Sequence, residues 1–232
     1  MTAGSPLSTR EMRFVASKSA GEVGALLMLP QDATRLFVLA HGAGAGMRHA
    51  FMEAIAERLA ARGVATFRYQ FPYMEKRTGR PDPKPVLFAT VRAALAAAAQ
   101  AAPGLPILAG GKSMGGRMTS MAAAEEPLAG VGGIVFIGFP LHPAGAPSTE
   151  RGDHLARVGA PMLFLQGTRD SLADLDLLSP ITAALGARAT MHVIDGADHS
   201  FHVLKRSGRT DADVLDELAS TVAAWGAALP LP

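Results

Sequence analysis

Residues 106–116 read PILAGGKSMGG, and this stretch predicts a strand that turns sharply into a helix. The apolar run before Gly111 has strand character, and the Met- and Ala-rich segment 117–125 has helix character. Between them stands G-x-S-x-G, the spacing of a nucleophile elbow, in which a serine lies on a strained turn. The flanking glycines are required because a Cβ there would collide with the neighbouring strand or helix. The pattern makes Ser113 the candidate nucleophile of an α/β protein.

Apolar runs of strand length recur along the chain, with helical patterns between the later ones. The runs are residues 13–16, 25–29, 36–40, 64–67, 107–109, 134–137, 162–165 and 191–194. The helical patterns are residues 51–62, 86–101, 117–125 and 211–228. Strands that alternate with helices predict an α/β fold with a mostly parallel, doubly wound sheet flanked by helices. The first two runs are separated by residues 17–23 alone, so we expect them to form an antiparallel hairpin at the N-terminal edge.

Size and composition favour a single domain over residues 1–232, with its core at about 12–228. The chain has 232 residues, of which 49% are hydrophobic, and a net charge of +2 from 22 basic and 20 acidic residues. Neither sign forms a long block, so no nucleic-acid-binding or membrane-binding stripe is indicated. The Pro- and Gly-rich segments 78–85 and 141–148 are predicted loops, each too short to be a lid domain.

The chain contains no cysteine, which excludes disulfides, thiolate metal sites and a cysteine nucleophile. Segment 1–14 lacks the apolar core of a signal peptide. The longest Ala-rich run, residues 91–102, is too short to span a bilayer. We therefore expect a cytoplasmic protein with no membrane partner. The oligomeric state is left open by the sequence.

A serine nucleophile needs a histidine to take its proton and a carboxylate to hold that histidine in the right tautomer. Asp170 and His199 each follow the end of a predicted strand. Because the carboxyl ends of parallel strands meet at one edge of a sheet, we expect Ser113, Asp170 and His199 to converge there. They stand in the chain order Ser, Asp, His, one of the orders in which such triads occur. Asp174 and Asp176 remain alternatives to Asp170.

The remaining histidines are weaker candidates for the base. His192 lies inside a predicted strand, and His202 lies three residues past His199. His199 and His202 could form a metal pair, but no third ligand stands out, so no metal site is predicted. Asp198 adjoins His199 in sequence, and its carboxylate is expected to point elsewhere.

The glycine-rich segment 41–46, HGAGAG, directly follows a predicted strand. Such a loop can present backbone N–H groups to an oxyanion. We expect the N–H of Met114, the residue after the nucleophile, to be one donor. The N–H of Ala43 is expected to be the second donor, with Gly44 as the fallback. His41 is expected to orient this loop rather than to act as a base.

Two similarities to nucleotide-binding loops are rejected. The GKS of residues 111–113 would need a glycine five positions before Gly111, where Pro106 stands. In HGAGAGM the third glycine of a dinucleotide fingerprint falls at Met47, and the next strand carries Arg68 instead of an acidic residue. No nucleotide cofactor is therefore predicted.

Aromatic residues follow the predicted strand 64–67, whose carboxyl end faces the same sheet edge. Tyr69, Phe71 and Tyr73 are expected, together with Gly44, to line the substrate pocket. Core packing is the alternative for the three aromatic residues.

Four motifs together resemble an α/β-hydrolase-fold protein: GGKSMGG, HGAGAG, LQGTRD and GADHSF. They look like the small lid-less group related to dienelactone hydrolases, which includes relatives of testis-expressed hydrolase-like proteins and of a hydrolase-like subunit of the NSL histone-acetylation complex. Segment 68–74 also looks typical of this group, and the resemblance spans roughly residues 24–228. It implies Ser113 as nucleophile, Asp170 as acid and His199 as base. Dienelactone hydrolases proper use a cysteine nucleophile, so their lactone substrate is not carried over.

The motifs lead us to expect a serine hydrolase of the carboxylesterase type that needs no cofactor. It would cleave a carboxylic ester or a related acyl bond of a small molecule through an acyl-enzyme intermediate, without a nucleic-acid partner. Two alternatives stay open at this point. One is a hydrolase-fold interaction module without turnover, and the other is an acyltransferase that uses the same triad.

Overall fold

A single twisted sheet runs through the computed structural model, which describes residues 8–230. Its strands are β1 (Thr9–Ser17), β2 (Gly21–Met28), β3 (Arg35–Ala40), β4 (Val64–Tyr69), β5 (Ile107–Lys112), β6 (Val131–Ile137), β7 (Met162–Gly167) and β8 (Ala189–Ile194). The helices are α1 (Ala50–Ala60), α2 (Pro72–Glu75), α3 (Lys84–Ala101), α4 (Met114–Glu125), α5 (Leu175–Ala184) and α6 (Asp211–Ala228). Each predicted strand and each predicted helix has its counterpart among these elements.

The strands follow the order β1-β2-β4-β3-β5-β6-β7-β8 across the sheet. β1 pairs antiparallel with β2, and β2 pairs antiparallel with β4. All other neighbours are parallel. The predicted fold class and the N-terminal hairpin are thereby confirmed, and no lid domain is present among residues 8–230. Because the parallel strands share a direction, the loops after β3, β5, β7 and β8 open at one edge.

Helices cover both faces of the sheet, and each face has its own apolar core. α1 and α6 pack on one face, and α3 and α4 pack on the other. In β3 the side chains alternate between the two cores: Leu36 and Val38 belong to one, Phe37 and Leu39 to the other. All six β3 residues are buried, which explains why the inner strands read as continuous apolar runs.

Two α-helices and three 3-10 helices of the described residues, Glu150–Arg157, Gly186–Arg188 and Lys205–Ser207, are absent from the sequence-based prediction. α2 has four residues and begins with a proline, so it is too short to show a helical period. α5 carries Pro180 in its interior, and an interior proline ordinarily ends or kinks a helix. The 3-10 helix Glu150–Arg157 lies between β6 and β7 and exposes most of its polar residues.

Within residues 8–230, no helix combines the length and the apolar character that crossing a bilayer requires. The predicted absence of a signal peptide concerns a segment whose first seven residues lie outside the described range. Residues 231–232 also lie outside it.

Candidate active site

Ser113 occupies a strained turn between β5 and α4. Its backbone angles are φ 50° and ψ −117°, a positive φ that side chains other than glycine rarely adopt. The turn is tied to the sheet, because the Ser113 N–H donates a 3.0 Å hydrogen bond to the carbonyl oxygen of Ile137. α4 begins at the next residue, Met114. The serine side chain is therefore held above the carboxyl edge of the sheet at a helix N-terminus.

The glycines on either side of Ser113 are required by close backbone contacts with β3. A Cβ added to Gly111 would lie 2.2 Å from the carbonyl oxygen of Ala40. A Cβ added to Gly115 would lie 2.7 Å from the same oxygen. These contacts confirm the steric reason predicted for the G-x-S-x-G spacing.

Three side chains from three different loops form a hydrogen-bonded chain at this edge. The Oγ atom of Ser113 lies 2.8 Å from Nε2 of His199. Nδ1 of His199 lies 2.7 Å from Oδ2 of Asp170. Because a carboxylate only accepts hydrogen bonds, Nδ1 carries the proton in a neutral imidazole, and Nε2 is left to accept from the serine hydroxyl. The structure thus brings together the three residues expected to converge.

The Asp170 carboxylate is held in place by two further donors. Nε2 of Gln166 donates to Oδ2 at 2.5 Å, and the N–H of Leu172 donates to Oδ1 at 2.8 Å. The Asp170 side chain is 1% exposed, so its orientation depends on these contacts rather than on solvent. Gln166 is fixed in turn, because its amide oxygen accepts from the N–H of Phe139. Sequence reasoning missed Gln166, whose signal is a buried amide inside an otherwise apolar strand.

Of the two alternative carboxylates, Asp174 has another partner. Asp174 is the N-cap of α5, and its side chain accepts from the N–H of Asp176. The N–H of Asp174 itself donates to His142. Within the described part of the chain, neither carboxylate is hydrogen-bonded to His199, which makes Asp170 the acidic neighbour of the histidine.

Other histidines pair with surface carboxylates away from this chain of hydrogen bonds. His202 contacts Asp211, and His192 contacts Glu217. The imidazole of His202 is therefore paired with Asp211 and does not share a site with His199. Among residues 8–230, no group of three or more His, Asp or Glu side chains is arranged to hold a metal ion.

A second serine–histidine pair lies inside the protein. Oγ of Ser120 lies 2.7 Å from Nε2 of His154, and Ser120 is fully buried. Burial, aided by the positive charge of Arg117, lowers the pKa of His154 to about 4. The described residues supply no carboxylate to this histidine. Without access or an acidic partner, the pair has the character of a packing contact.

His41 organises the glycine-rich loop, as expected. Its Nδ1 donates to the carbonyl oxygen of Gly42 at 2.7 Å, and its Nε2 accepts from the N–H of Phe71 at 3.1 Å. These roles require a neutral ring. Burial lowers the pKa of His41 to about 4, which agrees with that state. The ring therefore ties the loop after β3 to the loop after β4.

The two backbone donors expected for an oxyanion are unpaired among the described residues. Neither the N–H of Ala43 nor the N–H of Met114 donates to another group there. The peptide after Ala43 is fixed, because the hydroxyl of Tyr73 donates to the Ala43 carbonyl oxygen at 2.7 Å. Both amides are therefore available at the edge that carries Ser113.

A cavity of about 380 Å³ lies next to Ser113. Its wall is mostly apolar and includes the glycine-rich loop and the first residues of α1. The lining residues include Ala43, Gly44, His49, Phe51, Lys112 and Leu172. Gly44 lines the cavity as expected.

The aromatic residues at the end of β4 and directly after it correct one expectation. Tyr69, Phe71 and Tyr73 are each at most 1% exposed and belong to the core, not to the cavity wall. The physical reason is that α2 starts at Pro72 and folds this segment back beneath the glycine-rich loop, where the rings of Phe71 and Tyr73 pack against His41. Core packing, the alternative for these residues, is what the structure shows.

Comparisons with known proteins agree with this architecture. The family model described as "Alpha/beta hydrolase domain" matches residues 33–227. The crystal structure of dienelactone hydrolase from Anabaena variabilis is 22% identical, with a TM-score of 0.71 and coverage of 94% of this chain and 96% of that one.

Two further structures show the same fold. An esterase domain from a Rhodothermus marinus protein is 18% identical, with a TM-score of 0.72 and coverage of 96% and 99%. A Xanthomonas campestris protein described as an α/β serine hydrolase without lid is 20% identical, with a TM-score of 0.72 and 98% coverage of both chains.

Proposed function

The chain belongs to the α/β-hydrolase family, which confirms the resemblance drawn from its motifs, and on this premise we propose that it is a serine hydrolase that cleaves carboxylic esters or related acyl bonds. The observation that carries the proposal is the hydrogen-bonded chain from Ser113 through His199 to Asp170. A serine hydroxyl is a weak nucleophile at neutral pH, and this arrangement is what activates it.

In the first half of the reaction, Ser113 is acylated. Nε2 of His199 accepts the proton of the hydroxyl while Oγ attacks the substrate carbonyl carbon. The carbonyl oxygen becomes an oxyanion, which accepts hydrogen bonds from the N–H groups of Met114 and Ala43. The imidazolium is stabilised by Asp170 and gives its proton to the leaving alcohol, so the C–O bond breaks and an acyl-enzyme remains.

In the second half, water releases the acyl group. His199, neutral again, accepts a proton from a water molecule that attacks the acyl carbon. The second tetrahedral intermediate uses the same two backbone donors. Its collapse returns the proton to Oγ of Ser113 and frees a carboxylic acid. The cycle consumes one water per ester and needs no cofactor.

The cavity supports a preference for small or medium acyl chains. Its volume of about 380 Å³ suits a compact substrate, and its apolar wall suits an aliphatic acyl group. We expect p-nitrophenyl acetate and butyrate to have higher kcat/KM than the laurate or palmitate. Faster turnover of the long chains would contradict this assignment of substrate class.

The proposal is tested by labelling with a fluorophosphonate, which bonds covalently to an activated serine. Wild type, Ser113→Ala and Ser120→Ala are treated in parallel and measured by intact mass. Ser120→Ala is the matched control, because Ser120 also contacts a histidine but lies buried. We expect one adduct on wild type and on Ser120→Ala and none on Ser113→Ala. Ester turnover by Ser113→Ala should fall by on the order of 10⁶.

Each result has a clear meaning. No adduct on folded wild type would overturn the proposal and favour a hydrolase-fold interaction module. An adduct that persists in Ser113→Ala would overturn the assignment of the nucleophile. If an adduct forms but competing alcohols or amines take the acyl group in preference to water, the same site is an acyltransferase.

A further inference from the structure

The residue before the nucleophile makes a long-range contact with the residue that carries the base. Lys112 ends β5, and its Nζ donates a 2.5 Å hydrogen bond to the carbonyl oxygen of His199. Two strands, β6 and β7, lie between β5 and β8 in the sheet. The lysine side chain therefore spans the catalytic edge and binds the backbone of the histidine loop directly.

Two aromatic rings surround the ammonium group. Nζ of Lys112 lies 5.8 Å from the ring centroid of Phe51 and 5.2 Å from that of Phe201, within the range of a cation–π contact. The two rings stack on each other, with their centroids 6.0 Å apart. Phe201 adopts a φ of 65°, a positive value that is costly for a phenylalanine. The loop after His199 is thus held in a strained form that places a ring on the lysine.

The ammonium group also lies close to the imidazole. A Cβ added to Gly138 would be 3.2 Å from Nζ of Lys112 and 3.5 Å from Nδ1 and Cε1 of His199, so both groups border this glycine. Gly138 has a φ of 73°, a conformation that suits glycine. The lysine thus brings a positive charge to the corner of the site that the imidazole of His199 also occupies.

Lys112 and His199 have few charged neighbours. Burial lowers the pKa of Lys112 to about 8, while the carboxylates of Asp170, after β7, and Asp198, after β8, favour its charged form. From α1, the titratable group in the same cavity wall is His49. The lysine thus carries its charge at neutral pH and is the cation that faces His199 among these groups.

We propose that Lys112 is a positioning residue for His199: it anchors the histidine loop through the carbonyl hydrogen bond and places a positive charge beside the imidazole. The inference rests on the proposed hydrolase function and adds a residue to it. Ser113 is thereby flanked by Met114, whose N–H is an oxyanion donor, and by Lys112, whose side chain holds the base.

The test compares Lys112→Met, which keeps the length but removes the charge and the donor, with Lys112→Arg, which keeps both. The pH profile of kcat/KM and the separate kcat and KM values are measured with p-nitrophenyl acetate. For Lys112→Met we expect kcat to fall roughly 10- to 100-fold, as a displaced catalytic group would produce, with little change in KM. The acidic limb of its profile should move to higher pH, because removing the ammonium makes protonation of the imidazole easier. Lys112→Arg should keep the wild-type limb.

The pH limb distinguishes this role from a structural one. A merely structural lysine would lower activity without moving the limb, and that result would overturn the proposal. Wild-type kinetics for Lys112→Met would also overturn it, provided that a separate sample of the variant is labelled by fluorophosphonate at Ser113. If Lys112→Met does not fold, Lys112→Gln, which is also uncharged, is judged by the same shift. Absence of a fluorophosphonate adduct on wild type would instead overturn the hydrolase function itself.

Discussion

The hydroxyl of Tyr73 donates a 2.7 Å hydrogen bond to the carbonyl oxygen of Ala43 and thereby fixes a peptide of the glycine-rich loop. Burial raises the pKa of Tyr73 to about 12, so the phenol remains a donor at every pH at which the enzyme would work. His41 anchors the preceding peptide through the carbonyl oxygen of Gly42. His41 therefore holds the peptide that carries the N–H of Ala43, the amide expected to bind the oxyanion, and Tyr73 holds the peptide that follows it.

Tyr73→Phe is expected to slow the chemical step. The change removes the hydroxyl but keeps the ring packed against His41, so the Ala43 peptide loses a constraint while the core is retained. Removing an oxyanion donor itself costs about 10²–10³ in kcat, and freeing the peptide next to that donor should cost less, roughly tenfold. Steady-state kinetics with p-nitrophenyl acetate would measure kcat and KM separately, and KM should change little.

Tyr69→Phe is the matched control for Tyr73→Phe. The hydroxyl of Tyr69 is buried beside Thr119 and makes no hydrogen bond of good geometry in the described part of the chain. Its removal should leave kcat unchanged and leave stability equal or slightly higher, because an unpaired buried polar group is costly. Equal loss of kcat in both variants would show that the Tyr73 effect comes from the core and not from the loop.

Asp170→Asn should reduce kcat by about 10⁴, because an amide in place of the carboxylate favours the wrong imidazole tautomer. Asp174→Asn is the control. Asp174 caps α5, and asparagine is an equally good N-cap, so both activity and stability should be retained. If kcat fell in Asp174→Asn and not in Asp170→Asn, the acidic role would belong to Asp174.

Gly111→Ala is expected to destabilise the fold severely. The added Cβ would lie 2.2 Å from a backbone carbonyl oxygen of β3, which cannot move without breaking the sheet. We expect a loss of about 3 kcal/mol or more in the free energy of unfolding. Gly132→Ala, in β6, is the control, since its Cβ would meet its nearest neighbour at an ordinary 3.7 Å. Urea denaturation of both variants would test the difference, and equal midpoints would contradict it.

Stability should fall as the pH is lowered from about 6.5 towards 4. Burial lowers the pKa of both His41 and His154 to about 4, whereas histidines in the unfolded chain have a pKa near 6.5. Between these values the unfolded chain binds protons that the native protein does not, so acid favours unfolding. Each histidine contributes a slope of about 1.4 kcal/mol per pH unit within this window.

The contribution of one histidine can be separated by substitution. His154→Gln keeps a polar group near Ser120 but removes the titration, so its free energy of unfolding should vary less steeply between pH 6.5 and 4. Parallel slopes for His154→Gln and wild type would rule out this source of acid sensitivity.

The sequence by itself determined the sheet, the elbow and the convergence of Ser113 and His199, with Asp170 as the first candidate for their acidic partner. These features depend on constraints between residues close in sequence, so local sequence patterns predict them. The G-x-S-x-G spacing around Ser113 indicates a tight turn between a strand and a helix. The apolar runs indicate buried strands. Asp170 and His199 follow such strands directly, so the parallel order of the sheet was enough to bring them to one edge.

The tertiary structure alone decided which neighbours surround that site. The choice of Asp170 over Asp174 depends on where α5 begins, and an interior proline conceals that helix in the sequence. Tyr73 lies beneath the loop instead of in the cavity because a helix of four residues turns the chain after β4. The contact of Lys112 with His199 joins residues 87 positions apart. Side-chain direction and long-range proximity arise from packing, and no local pattern encodes them.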